Sequence, residues 1–170
     1  MDIDGANLTQ LTHIGGAGAW LPSCSSDGKW VVFATIDSGS VHSLWRVPVD
    51  GGTPIQLTTR PSWAPVVSPD GKLIACNWLD EASGQWKIGI VSFEGGQLAK
   101  IFDIPGGQNR PLRWTPDGRG IGFVRTSNGV GNIWVQPIDG GPAKQVTNFR
   151  DLLISNFKWS RDGKQLALSR

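Results

Sequence analysis

"SPDGKLIACNW" occupies residues 68–78, a Pro-Asp-Gly turn signal followed by a short apolar run. The pattern returns as SSDGKWVVFAT at 25–35, TPDGRGIGFVR at 115–125 and SRDGKQLALSR at 160–170. The anchoring aspartates, Asp27, Asp70, Asp117 and Asp162, are 43, 47 and 45 residues apart. A second landmark holds the same register: DGA at Asp4, DGG at Asp50, EGG at Glu94 and DGG at Asp139, spaced by 46, 44 and 45 residues. Eight residues beyond each comes Thr12, Thr58, Phe102 or Thr147. A period in the forties marks a repeat architecture.

Within one period the pattern is that of strands. Val31 and Phe33 follow the first anchor at plus four and plus six. Their counterparts are Ile74 and Cys76, Ile121 and Phe123, Leu166 and Leu168. Alternation of period two predicts one buried face. Asp-Gly between two strands is a hairpin signal, because Gly adopts positive φ cheaply and Asp bonds the backbone two residues on. Pro69 and Pro116 suit the first central position of such a turn. The aspartates are therefore read as turn residues rather than metal ligands. Each repeat resolves into four short strands a, b, c and d, in the second repeat WAPVVS, KLIACNW, WKIGIVSF and QLAKIFDI.

Four antiparallel strands per period of 40–50 residues predict an all-β fold of β-propeller blades. The combination of SPDGK, an apolar strand, LW or IW, DGG and QLT resembles the TolB-type, WD-repeat-like propeller repeat of bacteria, over essentially the whole chain. That resemblance implies one of three settings: periplasmic TolB-like proteins, the propellers of prolyl-oligopeptidase-like peptidases, or the C-terminal propellers of bacterial eukaryotic-like Ser/Thr kinases. The tail NFRDLLISNFKWSRDGKQLALSR is most similar to the kinase group. By resemblance alone, an extracytoplasmic or periplasmic location is implied.

Counting strands gives about 3.5 to 4 blades. Residues 1–12 hold the end of a c strand and a d strand; 13–58, 59–103 and 104–148 make blades 1 to 3; 149–170 supply strands a and b of a split blade. Open edges are templates for pairing with another chain. The favoured expectation is self-association, a homodimer closing a ring of about eight blades. A tight four-bladed ring and an open monomer are the alternatives.

Composition excludes several classes. Sixteen Lys and Arg against fourteen Asp and Glu give a net charge of +2 with scattered basic residues, so no nucleic-acid partner is expected. No apolar run approaches the roughly 18 residues of a membrane span, and MDIDGANLTQLT carries no export-signal pattern. Cys24 and Cys76 lack metal-ligand or disulfide-framework spacing, and their alignment with core columns predicts buried thiols. His13 and His42 have no paired nucleophile in a known motif, and no Gly-x-Ser-x-Gly elbow occurs. The Gly-rich stretches at 14–20 and 105–109 match no phosphate loop. No catalytic residue, cofactor or metal site is expected.

A ligand face, if present, lies where the d-to-a and b-to-c loops emerge together. Those loops hold His13, Arg60, Arg110 and Arg150, with Asp37, His42, Asp80, Glu81, Trp86 and Asn128. The three arginines could ring one rim as contacts for an anion or acidic peptide. His42 and Trp86 join them as candidate ligand contacts, and Trp20 and Trp63 stand near the same face. The expected role is a non-catalytic scaffold or sensor module with a protein or peptide ligand, part of a larger bacterial protein such as a Ser/Thr kinase. The alternatives are an accessory propeller of a peptidase and a fragment suited to studying propeller assembly.

Overall fold

The computed structural model describes residues 4–13, 18–36, 41–104 and 111–170. Among them every regular element is a strand, and fourteen strands form four antiparallel sheets. The first sheet is β1 (Ala19–Cys24), β2 (Trp30–Ile36), β3 (His42–Pro48) and β4 (Ile55–Gln56); the second is β5 (Ser62–Val67), β6 (Leu73–Asp80), β7 (Gln85–Ser92) and β8 (Leu98–Phe102). The third is β9 (Arg113–Trp114), β10 (Gly120–Ser127), β11 (Val130–Pro137) and β12 (Lys144–Gln145); the fourth has only β13 (Asn156–Trp159) and β14 (Leu166–Ser169). Strands pair in chain order within each sheet, which is the up-and-down blade of a propeller.

The repeated turn has one geometry in all four sheets. At Ser68–Gly71 the Gly71 N–H donates to the Ser68 carbonyl at 2.9 Å. The Ser68 hydroxyl donates to Asp70 Oδ1 at 2.6 Å and accepts the Leu73 N–H at 2.9 Å, while the Lys72 N–H donates to the same carboxylate oxygen at 3.1 Å. Gly71 has φ +73°, where a side chain is strained. Pro69 stands at the first central position and Gly71 ends the turn. This is a four-residue turn with a left-handed closing residue rather than a two-residue hairpin with Asp-Gly at its centre. Ser25 with Asp27, Thr115 with Asp117 and Ser160 with Asp162 repeat these bonds. In each case the hydroxyl bond is the main cause holding the aspartate below its usual range. The QLT signature is equally local. Thr58 and Thr147 hydroxyls accept the N–H groups of Leu44 and Ile133, both at 2.9 Å, and end strand d.

Adjacent turns also touch. A methyl built on Gly71 would lie 3.1 Å from Ser26 Oγ, one on Gly118 3.7 Å from Pro69 and one on Gly163 3.5 Å from Pro116. Each turn glycine thus abuts the first central residue of the preceding turn.

Hydrophobic packing runs between consecutive sheets. Val32, Ala34 and Leu44 pack on Ile74, Cys76, Trp78 and Val91; Ala75, Ile88 and Ile90 pack on Leu112, Trp114, Ile121 and Phe123; Val124 and Ile133 pack on Ile154 and Phe157. The expectation of one buried face is corrected here. In β6, residues 74–78 are all buried, because a sheet lying between two neighbours covers both of its faces.

Two further expectations change. Cys76 is fully buried, its thiol pushed up to about 12 by desolvation, but Cys24 is exposed. Its column packs on the preceding sheet, as when Trp114 Nε1 donates to the Val66 carbonyl at 2.9 Å, and among the described residues no sheet precedes the first. Residues 4–13 carry no strand, although Gln10 Nε2 still donates to the Thr12 carbonyl at 2.8 Å, as Gln56 does to Thr58 and Gln145 to Thr147. The QLT motif keeps its local bond without a strand c to pair with, and Leu8 is 82% exposed.

Candidate functional site: a cleft along the inner strands

The first strand of each sheet has only one hydrogen-bonded neighbour and faces inward. Together β1, β5, β9 and β13 line a cleft of about 950 Å³. Its walls are built from equivalent repeat positions. Ser23, Val66, Arg113 and Lys158 lie four residues before the anchoring aspartates, and Ser26, Pro69, Pro116 and Arg161 lie one residue before them. Cys24, Val67, Trp114 and Trp159 complete the series. Pro22, Pro65 and Pro111 also face the cleft. Prolines on these edges remove donors, so the inner edges are poor templates for an added strand. Recognition in this cleft would fall to side chains.

Two arginines fasten neighbouring sheets, by different means. Arg46, on β3, is 7% exposed; its Nη1 donates to the Phe93 carbonyl at 2.9 Å and its Nη2 pairs with Glu94 at 2.6 Å. Its guanidinium lies 4.6 Å from the Trp30 ring centroid and 5.0 Å from that of Phe93. Arg113, on β9, donates from Nε to the Phe157 carbonyl at 3.2 Å, from Nη1 to the Leu112 carbonyl at 2.8 Å and from Nη2 to Asn156 Oδ1 at 2.9 Å. All three acceptors are neutral. Neither arginine was legible as a contact because its partners stand more than forty residues away. That separation nonetheless matches the repeat period, which is the signal that could have found them.

The loop end places the remaining candidates. His42, Trp63 and Trp86 form a row, with ring centroids 6.4 Å apart for His42 and Trp63 and 6.3 Å apart for Trp63 and Trp86. This joins the first two sheets, and Trp63 also lines the cleft. The row is edge-on and tilted, a packing arrangement rather than an open stacking platform. Arg60 is engaged by the Glu81 carboxylate, so its charge is already answered. Arg150 is exposed, while Arg110 and Asp37 lie outside the described residues, as do residues 14–17 and 105–109 of the two Gly-rich stretches. Lys87 bridges Asp80 at 2.9 Å and Asp103 at 3.0 Å, and the hydrogen bond it donates to Asp80 is the main cause raising it above the usual lysine range. Asn128 and Gly129, with φ of 50° and 77°, form a tight two-residue turn between β10 and β11. His13 is exposed. Trp20, 53% exposed, stands on β1. Among the described residues, no three His, Cys, Asp or Glu side chains are grouped to hold a metal, and no helix is long and apolar enough to cross a membrane.

The sequence matches no protein-family model. It is 32% identical over 136 residues to an uncharacterised protein of Agrobacterium fabrum, matching 74% of this chain and 45% of that one. It is 34% identical over 124 residues to the uncharacterised peptidase YuxL of Bacillus subtilis, matching 72% of this chain and 18% of the peptidase. The chain therefore spans less than half the length of these curated relatives. Among solved structures, TolB from Acinetobacter baumannii superposes with a TM-score of 0.74 at 23% identity, covering 89% of this chain and 37% of that one. The β-propeller domain of the trilobed protease from Pyrococcus furiosus gives 0.55 at 18% identity, covering 85% and 46%. The fold is a TolB-type β-propeller fold.

Proposed function

We propose that this chain is a non-catalytic scaffold that offers its inner cleft and loop end to a protein or peptide ligand. The observation that carries the reading is the cleft itself, whose four walls come from equivalent positions of a rigid repeat while the residues on them differ from sheet to sheet. Selection of a displayed peptide library against the chain tests this. Enrichment of sequences whose binding is lost on Lys158→Trp, which fills the cleft from an exposed position, at unchanged melting temperature supports it; no enrichment over an unrelated propeller refutes it.

The likeness to the peptidase YuxL favours a second reading, an accessory propeller that filters substrate for a hydrolase domain elsewhere in a longer protein. A kinase-borne propeller is the remaining setting, supported by the resemblance of the tail. The open reading frame around this chain separates them: a Gly-x-Ser-x-Gly elbow downstream supports the peptidase, an HRD and DFG pair upstream the kinase.

Self-association is proposed on a different observation. Strand β14 has one paired edge, and residues 4–12 repeat a d-strand sequence without being assigned to a strand of any sheet. Two copies could share these elements. Light scattering after size exclusion gives twice 18.3 kDa if they do and 18.3 kDa if they do not.

A further inference from the structure

We propose that the wall of the cleft formed by β9 and β13 is a site for carboxylate groups, carried by an acidic peptide segment. This rests on the ligand-binding reading above and names the chemistry of its ligand.

The argument begins with departures from the repeat. At the position four residues before each anchor, the first two sheets place Ser23 and Val66 in the cleft, whereas the third and fourth place Arg113 and Lys158. One residue before the anchor, Ser26 and Pro69 give way to Pro116 and Arg161. Three cations therefore stand on one wall, and among the described residues the cleft lining holds no carboxylate. Equivalent positions share one backbone geometry, so the fold does not require Lys158 and Arg161 where serine, valine and proline serve next door, while Arg113 also fastens the third sheet to the fourth. Residues that break a local pattern without a structural need mark function.

Arg113 adds a second observation. Burial draws its guanidinium below the ordinary arginine range, and no carboxylate offsets that cost. A guanidinium has five N–H donors. Three are engaged, by the carbonyls of Leu112 and Phe157 and by Asn156 Oδ1, and all three acceptors are neutral. Among the described residues, these bonds leave two of its donors and its net charge without a counterpart. Trp159, on the same lining, has a buried Nε1 with no acceptor, whereas its equivalent Trp114 donates to the Val66 carbonyl at 2.9 Å. The Trp159 Nε1 is enclosed against Gly122, so the donors offered to the cleft are those of the half-buried Arg113 and of Lys158 and Arg161 on the same lining, a set that a carboxylate satisfies.

The nearest carboxylates, Asp117 and Asp162, belong to the turns and are not part of the lining. Each already accepts a hydroxyl and a backbone N–H. Their presence at one end of the cleft, together with only three cations on one wall, disfavours a polyanion with a charge on every unit and suits a segment with a few spaced carboxylates.

The test uses the whole chain and fluorescence anisotropy with three labelled decapeptides: one with glutamates at alternate positions among glycine and serine, the same with glutamine, and the same with lysine. The glutamate peptide is expected to bind, more weakly as salt rises. Lys158→Ala and Arg161→Ala each lower its affinity roughly tenfold, the loss of one charge-assisted contact, without moving the melting temperature. Arg113→Gln, which removes the charge and leaves a single NH2 group as donor, lowers it by a similar factor. Excess citrate displaces the peptide if the site reads carboxylates as such. Citrate that binds with the same dependence on the variants, and more tightly than the peptide, assigns the carboxylate to a small molecule and overturns the peptide source. Equal binding of the glutamate and glutamine peptides overturns the carboxylate proposal and leaves the scaffold reading standing. Stronger binding of an oligothymidylate than of the glutamate peptide also overturns it. Failure of all three decapeptides overturns this site; failure of the peptide library as well overturns the scaffold reading with it.

Discussion

Arg46 and Arg113 hold two different joints in the same row of sheets, and they are finished differently. The first, between sheets one and two, is closed in charge: two rings flank the guanidinium and Glu94 answers its charge, while its buried Nε has no acceptor among the described residues. The second, between sheets three and four, is open: three neutral oxygens accept from the guanidinium, which lines a cleft without an acid. The same side chain acts as a fastening where a carboxylate completes it and as a candidate contact where none does. In a repeat protein this contrast is informative, because backbone geometry is held nearly constant and only the side chains vary.

The largest effect is expected on breaking the closed joint. Arg46→Ala removes a buried hydrogen bond, two cation–π contacts and packing volume, and should cost about 3 kcal/mol in urea unfolding while leaving ligand binding in the cleft intact. Arg113→Ala should cost less, about 1–2 kcal/mol, because its bonds are to neutral acceptors and its surroundings are half open. Should Arg113→Ala prove the more destabilising, the distinction between fastening and contact fails. Ser68→Ala, which deprives Asp70 and the Leu73 N–H of the turn hydroxyl, should cost about 1 kcal/mol, and Ser160→Ala in the exposed fourth turn less.

Acid sharpens the comparison further. Glu94 is held below the usual glutamate range chiefly by its hydrogen bond from Arg46, and the four turn aspartates below theirs chiefly by their hydroxyl partners. A carboxylate depressed in the folded state contributes stability above its unfolded pKa, and that contribution disappears as pH falls through the folded value. Stability should therefore decline below about pH 4. Arg46→Ala should remove the Glu94 share of that decline and Asp→Asn at the four turns a further share, leaving that of Asp80, which Ser83 and Lys87 hold low; an acid limb unchanged in both variants would contradict the assignment. The smallest effect is expected from Arg60→Ala, whose exposed ion pair with Glu81 should be worth less than about 0.5 kcal/mol.

The turn end of the molecule was readable from the sequence because its interactions are short-range. Asp70 bonds the N–H two residues on, and the hydroxyl two residues before it was available in the same string at Ser25, Ser68, Thr115 and Ser160. The joints were not readable in the same way. A period-two pattern shows that a face is buried but cannot show that both are, and only the stacking of sheets explains why residues 74–78 are buried without interruption. Cys24 was misjudged for a related reason: its column is a core column only where a sheet precedes it. Arg60, Arg110 and Arg150 stand out in the sequence because loops display charges, whereas Arg113 and Lys158 occupy strand positions where an alternation pattern records only a polar residue.

The contacts of Gly71 with Ser26, Gly118 with Pro69 and Gly163 with Pro116 have a consequence for how such a chain can change over time. Each joint depends on its immediate neighbour and on nothing farther along. A tandem duplication or an in-frame loss of one repeat would create a boundary between two units that already carry matching halves of that joint. Copy number can then drift by whole units through ordinary recombination, while the composition of the inner wall is reshuffled with each event.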